Sequence, residues 1–294
     1  MEMLKNTKPI LMASMVQKLQ LFGLKVIIRM SISIQNKAFF HLEDNRWLIG
    51  NDSARGPWSE HACHAGPVTG VIARSLELLI SDKQLFRLNV ELLKPVPMDG
   101  FRITTEIRKQ GRMVSTAFAT LYDRNDTIIA YASSLHAQLV DVGDLPTATI
   151  ACPVLEHSTP GEFGVKEAKH GLPFFSSGIE MRYPEGENSE PGPTTAWMKA
   201  LPLLENEIPS PFQRLCPLAD CGNGLSRNLE VTEAHFVNPD LTIIMHRPPE
   251  SEWLASEARS FWEPNGLGMA EATLFDTKGP IGSALQTLLV SPVK

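Results

Sequence analysis

Cysteine is scarce in this chain: four in 294 residues, with no Cys-x-x-Cys pair and no secretory leader, which excludes a disulfide framework and the usual zinc spacings. Cys63, Cys152, Cys216 and Cys221 therefore read as reduced thiols of a cytoplasmic protein. His61, Cys63 and His64 stand close together, but a fourth metal ligand is missing and ordinary packing is the simpler reading. Positive charge is also short, with 27 Lys and Arg against 33 Asp and Glu and a net charge of −6. A nucleic-acid binder would carry a basic surface to neutralise phosphates. No unbroken apolar run is present either. The stretch 10–28, rich in Leu, Ile, Val and Met, carries Gln17, Lys18, Gln20 and Lys25, which a membrane-spanning helix would bury at heavy cost. Residues 1–30 read as an N-terminal extension, an over-extended start ahead of Met30, and no stable membrane insertion is expected.

What remains, 43% hydrophobic and 20% charged residues, fits a soluble globular chain long enough for two domains or one pseudo-symmetric domain. The chain is written twice. Subtracting 153 places Leu241 on Leu88, Pro248 on Pro95, Ala270 on Ala117, Ala272 on Ala119, Leu274 on Leu121, Asp276 on Asp123 and Leu288 on Leu135. Such a repeat marks a duplicated supersecondary unit. The same subtraction sets Asp220 against Pro67, Asn238 against Leu85 and Gln286 against Ser133, so only the second copy carries a carboxylate and two amides there. Drift at surface positions is the competing explanation.

Phe86, Leu88, Val90 and Leu92 alternate with polar residues, as a strand with one buried face requires, and Leu241, Ile243 and Met245 repeat the phase. Both strands stop at a basic residue plus proline, Lys94-Pro95 and Arg247-Pro248. Further strands are expected at 101–107 and 113–122, with the turn at 123–126 leading into a fourth and its counterpart at 276–279. Ahead of each series lies a helix. Thr69, Ile72, Leu76 and Leu79 form one apolar stripe, and Ser210-Pro211-Phe212-Gln213 is a capped start for the other, kinked near Asp220 by Pro217 and the glycines that follow. The predicted fold class is α+β, with helices on antiparallel sheet and pseudo-two-fold symmetry within one chain. The expected division is 31–141, a proline-bearing linker 142–165, and 166–294.

Gly56-Pro-Trp58, His64-Ala-Gly66-Pro67 and Val90-Glu-Leu-Leu-Lys-Pro-Val-Pro97 resemble the N-terminal half of acyl-CoA thioesterases of the double hot-dog type. Ala219-Asp220-Cys-Gly-Asn-Gly224, Asn238-Pro-Asp-Leu-Thr242, His246-Arg-Pro248 and Gln286-Thr-Leu-Leu289 resemble the C-terminal half of the type II enzymes. The resemblance implies two antiparallel sheets, each wrapped around a central helix, and hydrolysis of an acyl-CoA thioester without metal or organic cofactor. It matches Asp220 to the family's Asp and Gln286 to its Gln, while Asn238 stands where the family has Thr or Ser; Thr242 is an unmatched substitute. It leaves homo-oligomer formation open.

Thioester hydrolysis needs an aimed water, a base and donors for an oxyanion. Asp220 is the expected base, Asn238 and Gln286 its positioners, and the backbone at Gly66 the oxyanion donor, with His64 assisting or only hydrogen bonding. The acyl chain is expected beside Ile72, Leu76 and Leu225, and the phosphates of coenzyme A near Arg74, Arg227 or Arg247. Two alternatives stand: a catalytically silent acyl-CoA binder, and a hydratase, against which Phe236 and Leu241 occupy the places of the hydratase pattern's Asp and His.

Overall fold

Alternation builds one very large sheet. The computed structural model describes residues 37–293 other than residue 167; the extension 1–30 lies outside the described residues. In the first copy, β1 (Phe40–Glu43), β2 (Trp47–Gly50), helix α1 (Ala65–Leu79), β3 (Gln84–Leu92), β4 (Phe101–Lys109), β5 (Val114–Asp123) and β6 (Ile128–Ala137) follow in order. Next come β7 (Thr159–Gly161), β8 (Ile179–Tyr183) and β9 (Thr194–Ala200), then helices α2 (Pro211–Ala219) and α3 (Gly222–Leu225). The series closes with β10 (Ala234–Val237), β11 (Asp240–Met245), β12 (Leu254–Trp262), β13 (Leu267–Asp276) and β14 (Gly279–Pro292).

The strands run β1-β2-β4-β5-β6-β3-β11-β14-β13-β12-β9-β8-β7, with β10 paired to β14 beside this path. The order of the first half is repeated in reverse about the β3–β11 junction. That junction corrects the expectation of two sheets. β3 and β11 pair antiparallel, from Asp240 opposite Glu91 to Ile244 opposite Arg87, so the sheet is continuous across both copies. Each strand offers main-chain donors and acceptors at its edge, and the twin edges satisfy one another.

On β11, Leu241, Ile243 and Met245 are buried against the helices while Thr242 and Ile244 point to the other face. On β3 the buried set is Leu85, Leu88 and Val90. Phe86, expected inside, is 38% exposed, because a register shift between Leu85 and Arg87 turns the chain by one residue. Helix α1 buries Val68, Val71, Ile72 and Leu76; truncating a side chain such as Leu76 would cost about 2–5 kcal/mol.

The two copies also differ in one hairpin. β5 and β6 are joined through a bond from Asp123 N–H to Thr127 O at 3.0 Å, whereas Asp276 pairs directly with Gly279 between β13 and β14. The second loop is one residue shorter, so the gapless offset of 153 ends there. Asn89 faces Ser133 and its counterpart Thr242 faces Leu285. Gln286 therefore corresponds to Ser134, and Leu288 to His136.

Candidate active site

Asp220 sits where the second helix breaks. Ser210 caps α2 by accepting from Gln213 N–H at 3.2 Å, and Pro217 inside the helix removes one rung of its ladder. α2 ends at Ala219, Asp220 becomes its C-cap, and α3 restarts at Gly222. The break sets the Asp220 side chain against the N-terminus of α1.

Three polar side chains converge on it. Asn238 Nδ2 donates to Asp220 Oδ1 at 2.9 Å and Gln286 Nε2 donates to the same oxygen at 3.1 Å, with a second bond to Asp220 O at 3.0 Å. Asn223 fixes the orientation of both amides. Its backbone N–H donates to Gln286 Oε1 at 3.0 Å and its Nδ2 to Asn238 Oδ1 at 3.2 Å. Gln286 lies close over Gly222, where an added Cβ would stand 3.1 Å from Oε1. Oδ1 is thus committed to amides, and Oδ2 faces His64 Nδ1 at 3.1 Å.

His64 is the N-cap of α1 and accepts from Gly66 N–H at 3.2 Å through that same nitrogen. One ring nitrogen cannot accept from Gly66 and donate to Asp220 at once, so the two contacts compete. Donation to Asp220 releases Gly66 N–H. The ring is held flat on Phe175, centroids 3.9 Å apart at 14°. Gly66 permits the approach of the helices: an added Cβ would lie 3.0 Å from Pro217 Cα and O and 3.2 Å from Asp220 Cβ.

Asp220, Asn223, Asn238 and His64 open into a cavity of about 400 Å³ walled largely by apolar side chains, among them Trp58, Val96, Phe163, Val165 and Phe236. Trp58 stands edge-on to Phe236 at 5.6 Å. Cys63 lines the same space, but burial, partly opposed by Arg55, pushes its thiol up to about 12. Cys216 and Cys221 are raised by burial as well. Among the described residues no group of three or more His, Cys, Asp or Glu is placed to hold a metal ion.

Asp220, Asn238, Gln286, His64 and Gly66 therefore come together, and Thr242 does not. Its side chain leaves β11 on the face away from the helices, as strand alternation demands. Ile72, Leu76 and Leu225 are packed core outside the cavity wall. None of the three arginines lines the cavity. Arg74 is clamped by Glu207 at 2.6 and 2.7 Å, Arg247 by Asp276 at 2.6 and 2.8 Å, and Arg227 is buried against Glu230. Asn223 was visible in the sequence only as part of the Asp220–Gly224 run. Phe163, Val165 and Phe175 had no signal, since they lie in or just beyond the stretch that lacks periodicity.

Two family models match, the acyl-CoA thioesterase N-terminal domain over residues 54–135 and the acyl-CoA thioesterase C-terminal domain over residues 151–290, together about three quarters of the chain. The chain belongs to the acyl-CoA thioesterase family. Membership carries the enzyme class, thioester hydrolase. No curated protein sequence matches the thioesterase. Among solved structures, a protein assigned as a thioesterase from Novosphingobium aromaticivorans superposes with a TM-score of 0.69 at 16% identity, covering 85% of this chain and 98% of that one. The tesB protein of Mycobacterium avium subs paratuberculosis gives 0.62 at 15% identity, covering 86% and 96%. A conserved protein with hot dog fold from Alicyclobacillus acidocaldarius gives 0.63 at 15% identity with the same coverage. At these identities the likeness fixes the hot-dog fold of the thioesterase and nothing finer.

Proposed function

We infer that the thioesterase hydrolyses a fatty acyl-CoA to the free acid and coenzyme A, with Asp220 as general base. The observation that carries this reading is the division of labour on one carboxylate: Oδ1 held by Asn238 and Gln286, Oδ2 left toward His64 and the apolar cavity. A water bound at Oδ2 attacks the carbonyl carbon and passes its proton to the carboxylate. The tetrahedral oxyanion is stabilised by Gly66 N–H, released when His64 Nδ1 donates to Asp220. Collapse breaks the C–S bond, and the proton on Asp220 goes to the departing thiolate, regenerating the base.

Asn238 in the family's hydroxyl position is compatible with this scheme, because its amide donates to Asp220 as a hydroxyl would. The acyl chain lies along Val96, Phe163 and Phe236 in this reading, and no cofactor takes part. The halves 31–141 and 166–294, joined through 142–165, are the two hot-dog units, and the scarcity of cysteine supports a cytoplasmic setting.

The test is thiol release by the purified protein from acyl-CoAs of several chain lengths. Hydrolysis by the wild type that collapses in Asp220→Asn supports the reading. Saturable binding of acyl-CoA without thiol release would instead make the protein a silent binder.

A further inference from the structure

Among the described residues lining the cavity there is one carboxylate, Asp220, and one Lys or Arg, Lys94. Asp220 is buried and Lys94 exposed. The cavity thus runs from a negative inner group to a positive outer one.

The duplication shows how Lys94 differs from its twin. Leu93 and Lys94 N–H both donate to Ile129 O, at 3.0 and 3.1 Å; His246 and Arg247 N–H both donate to Ile281 O, at 2.9 and 3.3 Å. The two basic residues therefore leave matching strand ends, each followed by proline. In the second copy the guanidinium is clamped on Asp276 by two charge-assisted bonds. In the first copy the matching carboxylate, Asp123, makes no salt bridge with Lys94. Its Oδ1 accepts the backbone N–H groups of Asn125 and Thr127, both at 2.8 Å. The Thr127 bond belongs to the longer hairpin; the Asn125 bond has its counterpart in Lys278 N–H, which donates to Asp276 Oδ1 at 2.9 Å. Among the described residues no carboxylate forms a salt bridge with the Lys94 ammonium; Asp123 feels its charge only at longer range. The first copy thus lacks the clamp of the second, and the cation stands at the cavity mouth without a salt-bridge partner among the described residues.

We propose that Lys94 is the anchor for the phosphates of coenzyme A, holding the leaving-group end of the substrate outside while the thioester reaches Asp220. The proposal rests on the hydrolase reading for its substrate. A strongly anionic carrier is attracted to this Lys, the one Lys or Arg among the described residues of the wall, and an ammonium on a long stem follows a mobile phosphate. Arg74, Arg227 and Arg247 cannot take this part without abandoning Glu207, Glu230 and Asp276.

The experiment compares wild type, Lys94→Gln and Lys94→Arg on an acyl-CoA and on the same acyl chain carried by pantetheine, which has the thioester but no phosphate. For Lys94→Gln the expected result is a KM for acyl-CoA raised roughly tenfold with kcat within a factor of two. Its KM for acyl-pantetheine stays unchanged, Lys94→Arg restores the acyl-CoA value, and added salt narrows the gap between wild type and variant. Equal losses on both substrates, or none on either, overturn the anchor. If the wild type releases no thiol from either substrate, the hydrolase reading has failed, and calorimetric titration with coenzyme A decides the anchor separately. Weaker coenzyme A binding by Lys94→Gln then supports it, and equal binding removes it.

Discussion

Asp220 Oδ2 lies 3.1 Å from His64 Nδ1, and the two residues come from opposite halves of the chain. One helix break and one helix start meet there, over the bare backbone of Gly66. Asn223, Asn238 and Gln286 complete the group from the second half only. Among the described residues the duplicated frame therefore holds one site of this composition, assembled from both copies.

Replacing Asp220 by Asn keeps the shape and removes the proposed base. Thiol release from acyl-CoA should fall about 10²- to 10⁴-fold. A fall of only a few-fold would reassign Asp220 to a capping role at the end of α2.

Asn238→Leu installs the residue that the first copy carries at Leu85. It removes one donor to a charged carboxylate and leaves Asn223 Nδ2 without its acceptor. A charge-assisted bond contributes about 1.5–3 kcal/mol, so kcat should drop roughly 10- to 100-fold. Unaltered kcat in a folded variant would show that Gln286 alone suffices.

Gly66→Ala inserts a Cβ against the Pro217 backbone, which cannot swing aside as a side-chain tip would. Separation of α1 from α2 should cost about 1–3 kcal/mol in stability and slow hydrolysis by moving His64 from Asp220. A thermal melt and kcat measured together check this, and an unchanged melting temperature would count against the close approach of the helices.

Cys63 is a cavity residue that the proposed chemistry does not use. With its thiol pushed up to about 12 by burial, it should resist alkylation in the native protein at pH 8, and Cys63→Ala should retain hydrolysis. Rapid inactivation by a thiol reagent, protected by acyl-CoA, would contradict both expectations.

Acid should abolish the stabilisation that the Arg247–Asp276 pair supplies. Burial works to raise the Asp276 carboxyl, but hydrogen bonds from Arg247 and from the backbone of Glu250 and Lys278, with the charge of Arg247, hold it at about 2. A depressed acid stabilises the fold above its unfolded value of about 4, and that contribution disappears as pH falls toward 2. Chemical denaturation at several pH values should show this loss in the wild type. Asp276→Asn should be less stable at neutral pH and show a shallower acid limb.

Much of the frame could be read from residue pattern because strand and helix periodicity are local. Leu241, Ile243 and Met245 announce a buried face, and Ser210-Pro211 announces a helix start. The β3–β11 junction was not legible, since main-chain pairing between distant edges leaves no mark in side-chain spacing. Nor was the partner of Gln286, which shifted from Ser133 to Ser134 with the loss of one hairpin residue. Asp220 and Asn238 stood out because they face a proline and a leucine of the first copy, and Gln286 because an amide faces a serine there. The phosphate candidates failed for the opposite reason. A charge in a sequence carries no record of whether it is already neutralised, and Arg74, Arg227 and Arg247 all are.

The seam between β3 and β11 has a genetic corollary. Cut apart in the linker, either half would present a raw strand margin to solvent, an invitation to stick to whatever extended chain is nearby. Each half supplies the other's missing neighbour strand, and a split version should recover only when both fragments are made in the same cell.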